Sequence, residues 1–194
     1  MVIGRHRIVE LIVGVSLLAM GGCTPTGTTP APGPMTFEAF HGAFCRAWES
    51  MFRAVGNPDI GDGSELTRAM DEAIAAGDLP AVDRLAAEIT SELEAGRHEV
   101  AIATGWTPAA PLMAQVDLVF VGFEAMTEAK RAAASSGLGP SAQQVGQEAL
   151  EQSGAIDAWF ALIRPGVLDE TRRAIQSARP AEMPERCPNV PTGI

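Results

Sequence analysis

His41 and Cys45 stand four residues apart, so a helix would place both on one face, as zinc or copper ligands stand. Glu38 and His41 form Glu-x-x-His, the spacing used in di-iron bundles, but such a site needs two of these pairs and further glutamates on facing helices. The other histidine of the body, His98, follows Glu94 by four residues and falls opposite the apolar stripe of its own segment, toward solvent. That is one half of a metal site without a second half. His41 therefore reads as a histidine at the edge of a core, and no metal or cofactor is assigned. The acidic, glycine-rich stretch Asn57–Glu65 fails the calcium-loop test, which needs a glycine sixth and a glutamate twelfth. Counting from Asp59 gives Ser64 and Met70, and counting from Asn57 gives Asp62 and Arg68. No Gly-x-Ser-x-Gly elbow occurs. Gly137-Leu138-Gly139 lacks the third glycine and the preceding strand of a phosphate-binding loop. Carboxylate pairs such as Asp117 and Glu124 read as solvated polar surface. No catalytic residue is assigned, and an enzyme is not expected.

Rings are the other resource. Phe37, Phe40, Phe44 and Trp48 recur at helical spacing, and Phe120, Phe123, Trp159 and Phe160 follow in later segments. Eight such side chains either fill a core or line an apolar site between helices. A core of this size needs about that many, so packing is the first reading and a ligand-lined cavity the second.

The segments that would carry these residues are helical throughout, with no convincing strand and no internal repeat. Phe37, Phe40, Phe44, Trp48, Met51 and Val55 keep the 3,4 rhythm of one helix stripe, with Thr36 placed to cap it and Arg46, Glu49, Ser50 and Arg53 on the other side. Gly56-Asn57-Pro58-Asp59 ends that helix, and Ser64 is placed to cap a short one bearing Leu66, Met70 and Ile74. Gly77-Asp78 breaks the chain again. Val82, Leu85, Ile89, Leu93, Gly96 and Val100 then predict one helix over about 79–103, capped by Asp78. Thr107 as cap and Pro108 at the first position predict a long helix to about Ala134, whose stripe is Leu112, Val116, Val119, Phe123 and Met126. Met113, Leu118, Phe120 and Val121 widen its apolar surface, so it is expected to be the most buried. Ser141 is expected to cap a weaker helix to Glu151. Ile156, Trp159, Phe160 and Ile163 form a short stripe, and Leu168, Thr171 and Ile175 a last one. The fold class expected is all-α: a bundle of about four main helices with shorter accessory helices over residues 36–178, followed by a proline-rich tail over 179–194.

The chain begins differently. Arg5, His6 and Arg7 precede a run, Leu11 to Met20, that is apolar apart from Gly14 and Ser16. It is too short to span a bilayer, which takes about 20 apolar residues, and matches an export signal. It ends on Met20-Gly21-Gly22-Cys23. Those residues resemble the lipobox of bacterial lipoprotein precursors, with methionine where leucine is commonest. The resemblance covers the first 23 residues. It implies cleavage after Gly22, removing a signal peptide over 1–22, and lipid on the Cys23 thiol. Several acyl chains on that residue would hold the protein in a membrane, since one chain binds weakly and two or more bind firmly. Residues 23–35 then form the lipidated cysteine and a Thr/Pro/Gly tether. Its eleven residues from Thr24 to Pro34 reach at most roughly 35 Å as a polyproline-like spacer. An exported chain sits in an oxidising space, and with Cys23 lipidated an even pair remains, Cys45 and Cys187, expected to form a disulfide that ties the tail to the first helix. Two free thiols or an intermolecular bond is the rival.

Charge narrows the partners. The formal charge is −10, and losing Arg5, Arg7 and Glu10 with the leader makes it −11. Lys130 is the only lysine beside thirteen arginines. An acidic body does not suit nucleic acid, where basic residues supply much of the affinity, nor does it grip anionic lipid directly. The expected partners are the membrane, through the N-terminal lipid, and an envelope protein or wall polymer. The expected place is the extracytoplasmic face of the cell membrane. The expected function is a lipid-anchored helical interaction or scaffolding module. The alternative is a lipoprotein that binds a small apolar ligand, such as a lipid, in an aromatic-lined cavity.

Overall fold

The computed structural model describes residues 34–57, 62–183 and 187. The expectations for the leader, for Cys23 and for most of the tether, and part of the Asn57–Glu65 calcium test, fall outside those residues. Among the described residues seven α-helices form the body: α1 Phe37–Val55, α2 Glu65–Ala76, α3 Leu79–Ala103, α4 Ala110–Ser135, α5 Ala142–Gln152, α6 Ala155–Ile163 and α7 Asp169–Ala178. The all-α expectation holds, as does the disulfide. Cys45 of α1 is bonded to Cys187, their Cα atoms 5.3 Å apart across a sequence separation of 142.

Caps place the first three helices. Thr36 Oγ1 accepts the Ala39 N–H at 3.3 Å. Ser64 Oγ accepts the Thr67 N–H at 3.1 Å and donates to the Ala54 carbonyl at 2.7 Å, so it starts α2 and fastens it to the end of α1. Asp78 Oδ1 accepts the Ala81 N–H at 3.2 Å. Each satisfies a helix N-terminal donor that has no partner inside the helix. Between α1 and α2 the backbone makes one short feature the sequence did not suggest. β1 Gly56–Asn57 pairs antiparallel with β2 Asp62–Gly63, too few residues to leave an alternating pattern.

Two expected caps are absent. Thr107 does not cap α4; Thr107–Ala109 forms a turn of 3-10 helix and α4 begins at Ala110. The cause is a second proline. In a continuous α-helix the residue-111 nitrogen would donate to the Thr107 carbonyl, and Pro111 has no N–H to give. Ala110 N–H takes that carbonyl instead. Ser141 closes another 3-10 turn, Gly139–Ser141, and sits at φ −102°, ψ −1°, not in the extended conformation from which a cap side chain reaches forward. Its amide N–H donates to the Leu138 carbonyl at 2.9 Å.

Packing runs from α1 onto α3, from α3 onto α2 and α4, and from α4 onto α5 and α6, while α7 closes on the 3-10 turn ahead of α4. Trp48, Met51, Ile89, Leu93, Met113, Val116 and Phe120 are shut off from water at its centre. Gly96 lies where α1, α3 and α4 meet. A Cβ there would come within 2.3 Å of Phe120 Cε1 and 3.2 Å of the Ala47 carbonyl oxygen. Gly122 does the same for α4 and α6, where a Cβ would meet that of Ala155 at 2.2 Å.

The most buried helix is α1, not α4. Eleven of the nineteen residues of α1 are buried, against ten of the twenty-six of α4. Ser50, expected on its outer side, is among them and accepts a hydrogen bond from Arg53 at 3.0 Å. Residues Thr107–Ser135 are long and apolar enough to cross a membrane by length and composition. Here Met113, Val116 and Phe120 of that stretch lie in the protein core. Every core side chain described belongs to the unit Pro34–Ile194.

Candidate functional site

The rings of α1 form a continuous stack because spacings of three and four residues return to the same side of a helix. Centroids lie 5.8 Å apart for Phe37–Phe40, 5.9 Å for Phe40–Phe44 and 6.1 Å for Phe44–Trp48. Trp106, from the break between α3 and α4, stacks on Phe40 at 4.8 Å and meets Phe37 edge-on at 5.5 Å. Trp159 of α6 meets Trp48 edge-on at 5.8 Å. Large rings therefore fill the space between α1 and α6. Toward α7 the helices part.

A cleft of about 670 Å³ opens there. Phe37, Phe40, Phe44 and Trp48 form its floor, while Leu162, Ile163 and Ile175 of α6 and α7 form the opposite wall. Arg172, Gln176 and Arg179 stand along the rim, and His41 and Cys187 close one end. The floor is nearly sealed from water, with Trp48 0% and Phe40 2% exposed, so the open volume lies above the rings. Ile163, 46% exposed, marks the mouth.

The polar groups around this space are mostly engaged. Arg172 donates to the Arg164 carbonyl at 3.2 Å, to Asp169 at 3.4 Å and to the Leu162 carbonyl, closing off the free carbonyls at the end of α6. His41 is half-buried and stacks on Phe37 with centroids 6.1 Å apart. Burial first, and the positive charge of Arg179 second, hold its imidazole below the usual histidine range. Its Nδ1 and Nε2 lie 3.9 and 3.8 Å from Cys45 Sγ. Among the described residues the buried indole N–H of Trp48 has no acceptor. A buried donor without a partner costs about 1–3 kcal/mol.

The eight rings proposed as ligand-lining do not share one space. Phe37, Phe40, Phe44 and Trp48 face the cleft. Phe123, Trp159 and Phe160 line a separate recess of about 120 Å³ with Leu150 and Ile156. Phe120 is fully buried against Gly96 and lines neither. The sequence missed Trp106, which sits in a break between helices and belongs to no stripe. It also missed the α7 wall, because nothing in local spacing joins residues 162–179 to 37–48.

His98 is exposed, as expected, and Glu94 with it. Asp117 and Glu124 are not free solvated carboxylates. Both accept from Arg97, at 2.9 and 3.2 Å, and Glu124 Oε1 is buried without a partner among the described residues. The hydrogen bond that Arg97 donates to Asp117 is the first cause that raises the Arg97 pKa. Lys130 is buried and donates to Asp71 at 2.8 Å.

No family model matches this chain, and no curated protein or solved structure is significantly similar to it.

Proposed function

We propose that this chain is an exported, lipid-anchored protein whose helical body binds an apolar small molecule in the cleft between α1 and α6–α7. The observation that carries the binding part is the cleft itself, about 670 Å³ above a ring floor. That volume lies within the roughly 300–1,000 Å³ range of small-molecule sites, which are mostly apolar with few polar groups. A cleft of this kind moves the weight from the interaction module expected first to the ligand binder expected second. The interaction module keeps one specific support. Phe160, Ile163 and Val167 are 39, 46 and 56% exposed, close together in sequence on α6 and the turn after it. No catalytic role is proposed.

Lipid anchoring rests on Leu17–Cys23 alone. Labelled fatty acid is expected to enter the protein in a bacterial host, and Cys23→Ser to abolish both the label and membrane retention. The cleft is tested with the mature chain, residues 23–194 with Cys23→Ser, and a bromine-bearing long-chain fatty acid, which quenches nearby tryptophans. Saturable quenching is expected, weakened at least tenfold by Ile163→Glu at the mouth. Leu138→Glu, beyond the far end of α4, is expected to leave it unchanged. Quenching that never saturates, or equal effects of the two substitutions, would remove the cleft from the account.

A further inference from the structure

The disulfide at the end of the cleft has a third donor beside it. His41 and Cys45 lie one turn apart on α1, and the bond brings in Cys187, so that the donor atoms of all three lie within 4.8 Å of one another. Sequence spacing supplied only the first two. Both histidine nitrogens are almost equally far from Cys45 Sγ, so a turn of the ring brings either one to a shared ion. Their 3.8 Å and 3.9 Å separations suit one. With metal–sulfur bonds of about 2.3 Å and metal–nitrogen bonds of about 2.0–2.1 Å, two ligands of one metal stand roughly 3.6–3.8 Å apart. Cys45 and Cys187 are 7 and 4% exposed, and Phe37 covers one side of the imidazole.

We propose that reduction of the Cys45–Cys187 disulfide converts this corner into a binding site for one copper(I) ion, held by both sulfurs and one His41 nitrogen. Thiolate sulfur selects soft ions such as copper(I), and imidazole also suits copper. Structural zinc almost always takes four ligands. Here three donors converge among the described residues, and the Phe37 and Phe44 rings wall the cleft beside them. Three-coordinate copper(I) matches that set. The chemistry balances with an external dithiol as reductant. The dithiol gives two electrons and two protons to the sulfur–sulfur bond and itself becomes a disulfide. Copper(I) then displaces both thiol protons to solvent, forming two copper–sulfur bonds and one copper–nitrogen bond. The two sulfurs move apart to about 4 Å as they take up a shared ion with bonds of that length. Copper and the disulfide are therefore mutually exclusive occupants of the same atoms.

The test uses the mature chain, residues 23–194 with Cys23→Ser, whose only cysteines are Cys45 and Cys187. It is reduced with a phosphine, desalted without oxygen and titrated with copper(I) held by a coloured chelator. The reduced chain is expected to withdraw one copper per chain and to show thiolate-to-copper charge-transfer absorption. The oxidised chain is expected to withdraw none. His41→Ala and the more conservative His41→Gln are expected to weaken retention at least tenfold, with His98→Ala as the unchanged control. Circular dichroism on each sample reports whether the helices persist. Copper retained equally by the oxidised chain, or by both His41 variants, overturns the proposal. So does a reduced chain that loses its helical signal and does not regain it with copper(I).

Discussion

His41 shows how one residue can be constrained from two sides. Its ring lies against Phe37, half out of water, and Arg179 faces it with a like charge if it protonates. Both effects disfavour the imidazolium, and burial is the larger. In the oxidised protein His41 is expected to titrate below the ordinary value of 6.5, and Arg179→Gln to move it part of the way back. Above pH 6.5 the folded and unfolded chains both hold a neutral His41, and its contribution is fully present. As the pH falls, the unfolded chain takes the proton first, so stability drops until the folded pKa is passed. Proton NMR of the ring in the wild type, Arg179→Gln and His98→Ala would read this directly. A His41 titration at or above 6.5 would contradict the packing described.

Helices obey their caps until a stronger local rule intervenes. Thr36, Ser64 and Asp78 act as sequence reasoning expects, because each precedes its helix in an extended or similar conformation with a reachable donor. Thr107 and Ser141 have the same chemistry and fail, because Pro111 and Pro140 force tight turns where a cap would stand. Burial was harder to read than helix position. The apolar richness of α4 suggested the centre of the bundle, yet Leu118 on it is 40% exposed. Hydropathy counts apolar residues, whereas burial depends on how many neighbours surround a helix. At Gly96 three helices make such a close approach. An alanine there would usually help a helix by up to about 1 kcal/mol. Here its methyl would enter the Phe120 ring, so Gly96→Ala is expected to destabilise by roughly 1–3 kcal/mol, as overpacking does. Urea unfolding of the variant checks this. A gain in stability would mean that the α3–α4 seam can open at little cost.

For the molecule as a whole, expecting export and setting Cys23 aside as the lipidated residue left an even pair, and that pair anticipated a bond that spans most of the body. The cleft was not anticipated as built, because its floor and wall come from segments more than 100 residues apart, and only tertiary packing decides whether rings close on each other or leave space. The same bond that ends the cleft also holds Cys187 against α1, where it is 4% exposed. Removing it with Cys45→Ala and Cys187→Ala together leaves the α1 ring stack, the α1–α3 contact and every helix cap in place, so the helical signal is expected to persist. What changes is the unfolded chain. A closed loop of this length restricts it by about 5 kcal/mol in the chain-entropy model, an upper figure. The double variant is therefore expected to unfold at lower urea. Its dependence on urea should also be steeper, because an uncrosslinked chain exposes more surface. A lower midpoint with an unchanged slope would place the loss in the folded packing around Cys45 instead. An unchanged midpoint would show that α1 and the chain around residue 187 hold together without the bond.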